Sequence, residues 1–157
     1  MKPIRFEIQG TTRHDPHQIG QAILDVDQWS SFTGAWPLPG IKSATFWDGS
    51  PTPQVVGSII DVVNTDGSTH SETITAWDLP NTIELQLHSF PKRLKWMAKH
   101  FDERWAFDGH DYTRSFELHP TWVWFKPMLW VISKLLKRAV RRHLAQIEAT
   151  DMPVADA

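Results

Sequence analysis

The longest regular pattern of apolar and polar residues in this chain runs from about Pro127 to about Ile147. Proline is well tolerated at the first position of a helix, where its missing N–H is not needed. Apolar residues then recur at steps of three and four, as on one face of a helix; they are Met128, Ile132, Leu135, Leu136, Ala139, Val140, Leu144 and Ile147. The opposite face is basic, with Lys134, Lys137, Arg138, Arg141 and Arg142. The pattern predicts a helix roughly 30 Å long, whose apolar face must pack against the rest of the chain.

Most of the chain before this helix alternates apolar and polar residues, which predicts strands. Residues 4–9 form the first strand, and a helix that starts at Pro16, capped by Asp15 or His14, comes next. Residues 25–32 continue this helix into a second short turn or helix. Six further strands are predicted, near residues 41–47, 54–64, 68–77, 83–88, 101–107 and 112–119. Because short turns favour antiparallel pairing and many strands must twist and curl, the predicted fold class is α+β, a curved antiparallel sheet wrapped around the long C-terminal helix.

A hairpin signal, Asp66-Gly67, joins two of these strands. If Thr65 pairs with Ser68 across a two-residue turn, Asp61 lies opposite Glu72. Two neighbouring carboxylates repel each other, so their face of the sheet is expected to contact solvent. The residues predicted to point toward the long helix are therefore Ile60, Thr73, Leu85, Trp105 and Phe116, whereas Asp61, Glu72 and Glu84 are predicted to point toward solvent.

A second hairpin is predicted around the next tight turn. Pairing Phe107 with Tyr112 places Trp105 opposite Arg114 and makes Glu103 a diagonal neighbour of Arg114 on the inner face. A carboxylate and a guanidinium in a cavity could orient a substrate. Two other interpretations stay open: a purely structural salt bridge, or a pair that a one-residue shift of register turns outward.

Composition places the chain among ordinary globular proteins. Its 157 residues favour one domain over residues 1–150, followed by a disordered tail at residues 151–157. The formal net charge of -2 gives no general attraction to nucleic acid. The absence of cysteine excludes disulfides, thiolate catalysis and cysteine-based zinc sites. No signal peptide and no membrane-spanning run is expected, so a cytoplasmic location is predicted; the oligomeric state has no signal in the sequence.

The titratable residues show no evident catalytic or metal-binding set. Five histidines lie on or beside the later strands without the i, i+4 spacing or the HExxH motif of a helical zinc site; they are His70, His88, His100, His110 and His119. His88 or His119 could act as a general base, but no Ser–His–Asp arrangement accompanies them. The sequence therefore predicts no metal, no cofactor and no identifiable catalytic residue.

Nine tryptophans are unusually many for a chain of this size. Tryptophan is well suited to cores, pocket walls and interfaces. Core packing explains each of them singly, but together with hydroxyl groups on the predicted inner face they favour a hydrophobic pocket. The candidate ligand-binding residues are Trp36, Thr73, Trp77, Trp105, Phe107, Arg114, Phe116 and Ile132. An entrance is predicted at residues 33–41 and 90–99, where Trp36 and Trp96 are large enough to close it. Alternatively, residues 91–100 and 122–130 could contact a membrane surface.

Several motifs resemble the helix-grip superfamily called SRPBCC. The stretch ILDVDQWSSF is similar to the superfamily's helix ending in D-x-x-x-W, and VVGSIIDVVNTDGSTHSETITAWDLPNTIEL resembles its G-x(n)-T-x-G strand pair and aromatic-D-x-P turn. The long helix ending in HLAQIE and the stretch PLPGI, similar to one in bacterial members, complete a resemblance that covers nearly the whole chain. The superfamily includes START lipid-transfer domains, the major birch pollen allergen group and the polyketide cyclase/dehydrase group. The resemblance implies a helix-grip fold with a deep hydrophobic cavity between sheet and helix, but not one function.

Two functional hypotheses follow, in different classes. The first is a non-catalytic protein that binds or carries a small hydrophobic ligand, such as a lipid, a polyketide or an aromatic molecule, in this cavity. The second is an enzyme of the polyketide cyclase or dehydratase type that acts in the same cavity. The missing catalytic set favours the first. A structural role, as a module that assists a chaperone, is a weaker third.

Overall fold

The computed structural model describes residues 1–48 and 55–154, which form a single seven-stranded sheet and a few helices. The strands are β1 (Ile4–Thr11), β2 (Ile41–Phe46), β3 (Ile59–Asn64), β4 (Thr69–Asp78), β5 (Thr82–His88), β6 (Ala98–Asp108) and β7 (Asp111–Pro120). The helices are α1 (Pro16–Leu24), α2 (Lys92–Met97) and α3 (Lys126–Ala149), with 3₁₀ turns at Val26–Ser31 and Val123–Phe125. The sheet order is β1-β7-β6-β5-β4-β3-β2, with antiparallel neighbours throughout. This confirms the predicted fold class, a curved antiparallel sheet around a long C-terminal helix. Gln54, where the third strand is predicted to begin, lies outside the described residues.

The first helix begins at Pro16, and its cap is Asp15. The Asp15 carboxylate accepts a hydrogen bond from Gln18 N at 2.9 Å, and the Gln18 side-chain oxygen accepts one from Asp15 N at 2.9 Å, which forms a capping box. His14 is buried instead, with its Nε2 3.0 Å from the carbonyl oxygen of Ile147 in α3. These contacts tie α1 to the C-terminal end of the long helix.

The segment after α3 returns to α1. Gln18 Nε2 donates to the carbonyl oxygens of Met152, at 3.4 Å, and Pro153, at 3.2 Å. Met152 also packs against the hydrophobic core. Residues 155–157 of the tail predicted to be disordered lie outside the described residues, and the domain boundary near residue 150 stays a prediction.

The long helix covers only part of the sheet. It packs mainly on β1 and β7, at one edge, through a buried stripe that consists of Leu129, Ser133, Leu136, Ala139, Val140 and Leu144. Met128, which the periodicity assigned to the apolar face, is exposed. Ile132 and Leu135 are half-buried and point away from this edge, toward a space left between α3 and the other strands.

The predicted register of the hairpin between β3 and β4 is wrong by one residue. Ile60 pairs with Glu72, and Asp61 pairs with Ser71. The reason is a three-residue loop in place of the predicted two-residue turn: Asn64 N donates to Ser68 O at 2.8 Å, and Gly67 takes a φ of 83°. A one-residue shift moves every side chain of a strand to the other face. Glu72 is therefore buried on the inner face, and the pairing of like charges that motivated the prediction does not occur.

A β-bulge in β4 then restores one predicted orientation. The pairing with β5 passes from Ile74–Leu85 to Ala76–Glu84, so the residue between them, Thr75, is left out of the register. Beyond the bulge Trp77 pairs with the buried Ile83 and shares its face of the sheet. Thr73, before the bulge, is on the outer face, where its hydroxyl lies 2.7 Å from His88 Nε2.

The hairpin between β6 and β7 has the predicted register. Phe107 pairs with Tyr112, Trp105 with Arg114, and Glu103 with Phe116. Gly109, with a φ of 62°, occupies the two-residue turn. Ile60, Leu85, Trp105 and Phe116 were predicted to point toward the long helix; all four lie on the buried inner face of the sheet, each at most 3% exposed, although the helix itself packs mainly on β1 and β7.

Candidate cavity between the sheet and the long helix

A cavity of about 1110 Å³ lies between the inner face of the sheet and α3. Its walls come from strands β2 to β7, from α1, from α2 and from the cavity-facing side of α3. Most of the lining is apolar, for example Ile19, Leu85, Phe101, Phe116 and Ile132. A smaller cavity of about 270 Å³ adjoins Tyr112 and Leu144, and Trp105 lines both.

A buried ion pair stands on the sheet side of the larger cavity. Arg114 Nε donates to Glu103 Oε1 at 2.7 Å, and Trp105 Nε1 donates to the same oxygen at 2.9 Å. The three residues lie on adjacent strands with their side chains on one face because Trp105 pairs with Arg114 and Glu103 is two residues away. The interpretation of the pair as turned outward is therefore wrong.

Arg114 keeps an unused donor inside this cluster. Its guanidinium lies 4.5 Å from the centre of the Trp105 ring and 5.4 Å from that of Phe116. Its Nη1 is buried and makes no hydrogen bond with the described residues. Buried polar atoms normally have a partner, so this donor is free for a group that enters the cavity.

The carboxylates in the cavity are electrostatically coupled. Burial raises the pKa of the Glu103 carboxyl; the Arg114 guanidinium opposes this rise, and the charge of Glu72 adds to it. Glu72 is itself held by His70, whose Nε2 lies 3.1 Å from Glu72 Oε1, and His70 Nδ1 lies 3.3 Å from Asn64 Nδ2. The sheet side of the cavity therefore combines an apolar surface with a small polar network.

The α3 side contributes two further polar groups. His143 and Gln146 line the cavity, and both His143 Nδ1 and Gln146 Oε1 are buried without a hydrogen-bond partner among the described residues. Burial, together with the charge of Arg114, lowers the pKa of His143 to about 3. This ring is therefore neutral at neutral pH. The two walls of the cavity offer an unused donor, Arg114 Nη1, and an unused acceptor, Gln146 Oε1.

The eight sequence-predicted ligand-binding residues divide equally. Trp105, Arg114, Phe116 and Ile132 line the cavity together, whereas Trp36, Thr73, Trp77 and Phe107 do not. Trp36 is 93% exposed because Ala35 and Leu38 exchange two backbone hydrogen bonds and leave it at the tip of a tight turn. The neighbouring Pro37, Leu38 and Pro39 face the cavity in its place.

The other three lie elsewhere for separate reasons. Thr73 is on the outer face because of the register shift. Trp77 packs closely against Gly20 of α1, where an added Cβ would lie only 3.0 Å from its ring. Phe107 stacks on Trp105, with ring centres 5.9 Å apart, on the side away from the larger cavity.

Sequence reasoning missed Glu72, His70, His143 and Gln146. The two strand residues could have been found from the alternation of β4. Ile74 is the one strongly apolar residue in the first part of this strand, and His70 and Glu72 precede it at steps of two, on the same face. The argument from like-charge repulsion outweighed this alternation. His143 and Gln146 had no comparable signal, because they lie beside the basic residues of a helix.

The cavity rim includes the segments where an entrance was predicted. Pro91 and the α2 residues Lys92, Arg93, Leu94 and Met97 line the cavity, as do residues 37–39. Trp96, proposed to close this entrance with Trp36, is exposed and does not line the cavity. The position of the entrance stays a prediction.

Comparisons with known proteins agree on the fold. No protein-family model matches the sequence, and no curated protein matches it. Solved structures do match: ginseng major latex-like protein 151 from Panax ginseng has a TM-score of 0.67 and 15% identity, covering 98% of this chain and 100% of that one. Ara h 8.0201 has a TM-score of 0.65 and 14% identity over 94% of this chain and 99% of that one.

A third match comes from a larger protein. The di-domain ARO/CYC StfQ from the steffimycin biosynthetic pathway has a TM-score of 0.68 and 13% identity, over 94% of this chain and 50% of that one. Sequence identities as low as these are evidence for a shared fold only. A separate finding concerns membranes: none of the helices in the part of the chain that the structure describes has the length and apolar character of a membrane span. The chain has the helix-grip fold that its sequence resemblance to the SRPBCC superfamily implied.

Proposed function

We propose that this protein binds or carries a small hydrophobic molecule in the cavity between the sheet and α3. The observation that carries the proposal is a cavity of about 1110 Å³ with a mostly apolar lining and one buried guanidinium. This volume slightly exceeds the usual range of ligand pockets, which is about 300–1000 Å³. Burial of an apolar ligand there would contribute roughly 25 cal/mol per Å² of buried apolar area to the free energy of binding.

The polar groups select the kind of ligand. Arg114 Nη1 is an unused donor on the sheet side, and Gln146 Oε1 is an unused acceptor on the helix side. A ligand with an apolar body and one carbonyl or carboxylate group would satisfy Arg114 by a charge-assisted hydrogen bond. Phe116 and Trp105, whose rings lie close to the guanidinium and line the cavity, then contact the adjoining apolar part.

The experiment is a titration with two environment-sensitive fluorescent probes, one a fatty acid and one its neutral methyl ester. We expect saturable binding of both by the wild type and weaker binding of both by Trp105→Ala. Arg114→Leu should weaken binding of the acid by about tenfold to a hundredfold, as expected from the strength of hydrogen bonds to charged groups. It should weaken binding of the ester much less. Arg104→Leu is the matched control, because Arg104 is exposed on the outer face of the same sheet.

Two results would contradict the proposal in different ways. A wild type that shows no saturable binding of either probe removes the carrier function. Equal losses for acid and ester in the Arg114 variant leave the carrier function and reject the anchor. Since Arg114→Leu also leaves Glu103 buried without its partner, the double variant Glu103→Gln/Arg114→Met gives the same comparison without an unpaired charge. Native mass spectrometry of protein purified from cells would identify a retained ligand.

The second candidate function is an enzyme of the polyketide cyclase or dehydratase type. It is supported by Glu103, a buried carboxyl group whose raised pKa suits proton exchange nearer neutral pH, and by the fold shared with an ARO/CYC protein. The wild type should then convert a poly-β-keto thioester to a cyclised or dehydrated product, and Glu103→Gln should abolish turnover while the folded protein still binds the probe. An unchanged substrate after incubation with wild type would reject this candidate.

A further inference from the structure

A second surface of the protein is exposed, apolar and rich in tryptophan. Seven large apolar side chains at the N-terminal end of α3 and on α2 are each at least 50% exposed; they are Trp96, Trp122, Val123, Trp124, Met128, Trp130 and Val131. We call this set the tryptophan face. Isolated exposed apolar residues are normal, but a contiguous group on a folded chain marks an interaction site.

The chain itself brings these residues together. Met97 O, at the end of α2, accepts a hydrogen bond from Thr121 N at 2.9 Å, so Trp96 and Trp122 are on neighbouring segments. The 3₁₀ turn Val123–Phe125 leads directly into α3. Leu129 and Ser133 of α3 are buried, whereas Trp130 and Val131 between them are turned outward.

Basic residues accompany the tryptophan face. No acidic residue occurs from residue 85 to residue 101 or from residue 118 to residue 147. The first of these segments contains Lys92, Arg93, Lys95 and Lys99, and the second contains Lys126, Lys134, Lys137, Arg138, Arg141 and Arg142. The whole chain has a formal net charge of -2, so positive charge is concentrated on these segments. Lys134 Nζ lies 5.1 Å from the Trp130 ring centre, within the face itself.

The combination of tryptophan and lysine identifies the partner. Tryptophan is enriched where proteins meet the headgroup region of a bilayer, and lysine and arginine are attracted to anionic lipids. Protein–protein interfaces share the enrichment in tryptophan but are depleted in lysine. We propose that the tryptophan face docks onto the surface of a bilayer that contains anionic lipid.

The cavity rim adjoins this surface. Lys92, Arg93, Leu94 and Met97 line the cavity, whereas Lys95 and Trp96 of the same short helix do not. α2 therefore has one side toward the cavity and another toward the lipid. A hydrophobic ligand would pass between bilayer and cavity beside α2; this last step, unlike the docking, rests on the proposed carrier function.

The test is flotation of the purified chain with two kinds of vesicle, phosphatidylcholine alone and phosphatidylcholine with about 30 mol% phosphatidylserine, the latter giving the surface potential that attracts basic residues. We expect binding to the anionic vesicles, which weakens at high salt. Lys95→Gln/Lys134→Gln, at two exposed cations that do not line the cavity, should weaken it by about fivefold per cation removed. Trp122→Ser/Trp124→Ser should weaken it by at least about tenfold, from the apolar burial of two large side chains.

The matched control is Trp47→Ser. Trp47 is also strongly exposed, but it follows β2, the edge strand that lies three strands away from β5, which leads into α2, so its replacement should leave vesicle binding unchanged. The Trp122/Trp124 variant should keep its thermal stability and its binding of the fluorescent fatty acid, which separates docking from the carrier function. The inference is overturned if neither vesicle binds, if neutral vesicles bind as well as anionic ones, if Trp47→Ser loses as much binding, or if the face mediates only association of two copies of the chain.

An independent cluster on the outer face of the sheet has the geometry of a metal site. His100 and His119 are paired across β6 and β7, and Asp102 lies two residues from His100 on the same face. Asp102 Oδ2 is 3.4 Å from His100 Nε2 and 2.8 Å from His119 Nε2, and the three ligand atoms lie within 4.8 Å of one another. Gln86 Nε2 donates to Asp102 Oδ1 at 3.0 Å, which leaves Oδ2 for the two histidines.

The contact with His119 is not a hydrogen bond. Its Nε2 is buried and has no hydrogen-bond partner among the described residues, despite its short distance to Asp102 Oδ2. Such an off-axis approach is expected when a nitrogen and an oxygen both point at a shared ion about 2.0–2.2 Å from each. We infer a site for Zn²⁺ with three protein ligands and an open position. The sequence predicted no metal because it shows no helical motif, and only strand pairing joins these residues.

Calorimetric titration of the metal-free chain with zinc chloride tests this second inference. We expect one equivalent to bind to the wild type and to Glu103→Gln, and Co²⁺ to give the visible absorption of a tetrahedral site. His119→Asn and Asp102→Asn should each lower the affinity for Zn²⁺ by at least about tenfold, because each removes one ligand. His17→Asn, at an exposed histidine of α1, should leave this affinity unchanged. Absence of saturable binding, or equal binding by His119→Asn, overturns the site.

Discussion

His143 should make the protein sensitive to mild acid. Its ring lies between α3 and the cavity, 5.5 Å from the Phe32 ring, and its pKa is lowered to about 3. In the unfolded chain the pKa of a histidine is about 6.5. Below that pH the unfolded state binds a proton that the folded state does not bind, so the free energy of unfolding falls as the pH falls.

The size of this effect follows from the two pKa values. The slope approaches about 1.4 kcal/mol per pH unit below pH 6.5, and the loss between pH 6.5 and pH 4.5 is about 2 kcal/mol. His143→Phe removes the titrating group and keeps a ring beside Phe32. Other carboxyl and imidazole groups titrate alike in both proteins, so the difference between wild type and variant isolates His143.

The assay is urea denaturation of both proteins at pH 7.5, 6.5, 5.5 and 4.5, values that bracket the ordinary pKa of about 6.5. Between pH 6.5 and pH 4.5, we expect the free energy of unfolding to fall by about 2 kcal/mol more for the wild type than for the variant. His17→Phe, at an exposed histidine, is the control and should follow the wild type. Parallel pH profiles for wild type and His143→Phe would show that His143 is protonated in the folded state, and the reasoning from burial would fail.

Three further predictions concern stability and use denaturation at neutral pH. Leu129→Ala should cost about 3–5 kcal/mol because Leu129 is fully buried against the sheet, whereas Leu135→Ala, at the cavity wall, should cost about 1 kcal/mol; equal costs would mean that the cavity is filled by the protein itself. Glu103→Gln should cost about 3–5 kcal/mol because Arg114 is then buried without a counter-ion, and adding Arg114→Met should recover part of the loss; no recovery would place the cost elsewhere. Asp15→Ala should cost about 1 kcal/mol through loss of the capping box, and an unchanged midpoint would show that the cap does not stabilise α1.

The two hairpins show why register was predictable in one place and not in the other. Around Gly109 the turn has the two residues that the sequence suggests, and the pairs from Phe107–Tyr112 to His100–His119 follow by counting. Around Gly67 the sequence suggests the same turn, but the loop takes a third residue, and the inner and outer faces of β4 exchange. The Asp-Gly signal locates a turn reliably but does not specify its length.

Tryptophan shows the corresponding limit for side chains. Trp105 is buried in the cavity wall, Trp36 and Trp124 are almost fully exposed, and Trp77 packs against α1. Each occurs in a segment whose local pattern allows burial. Their positions depend on where a turn ends, on a β-bulge and on which edge of the sheet α3 covers, and none of these is a property of the residue or its neighbours in sequence.

The sequence by itself determined most of the secondary structure, the antiparallel character of the sheet, the long C-terminal helix and the pairing of Trp105 with Arg114. These depend on periodicity, caps and short turns, which act over a few residues. Only the tertiary structure decided that Glu72, His70 and His143 face the same cavity as Arg114, and that His100 and His119 meet on the outer face. The physical reason is that a strand alternates its faces at every residue, so one extra loop residue or one bulge reverses which side chains are enclosed. Contacts between segments distant in sequence then select which of these arrangements is stable.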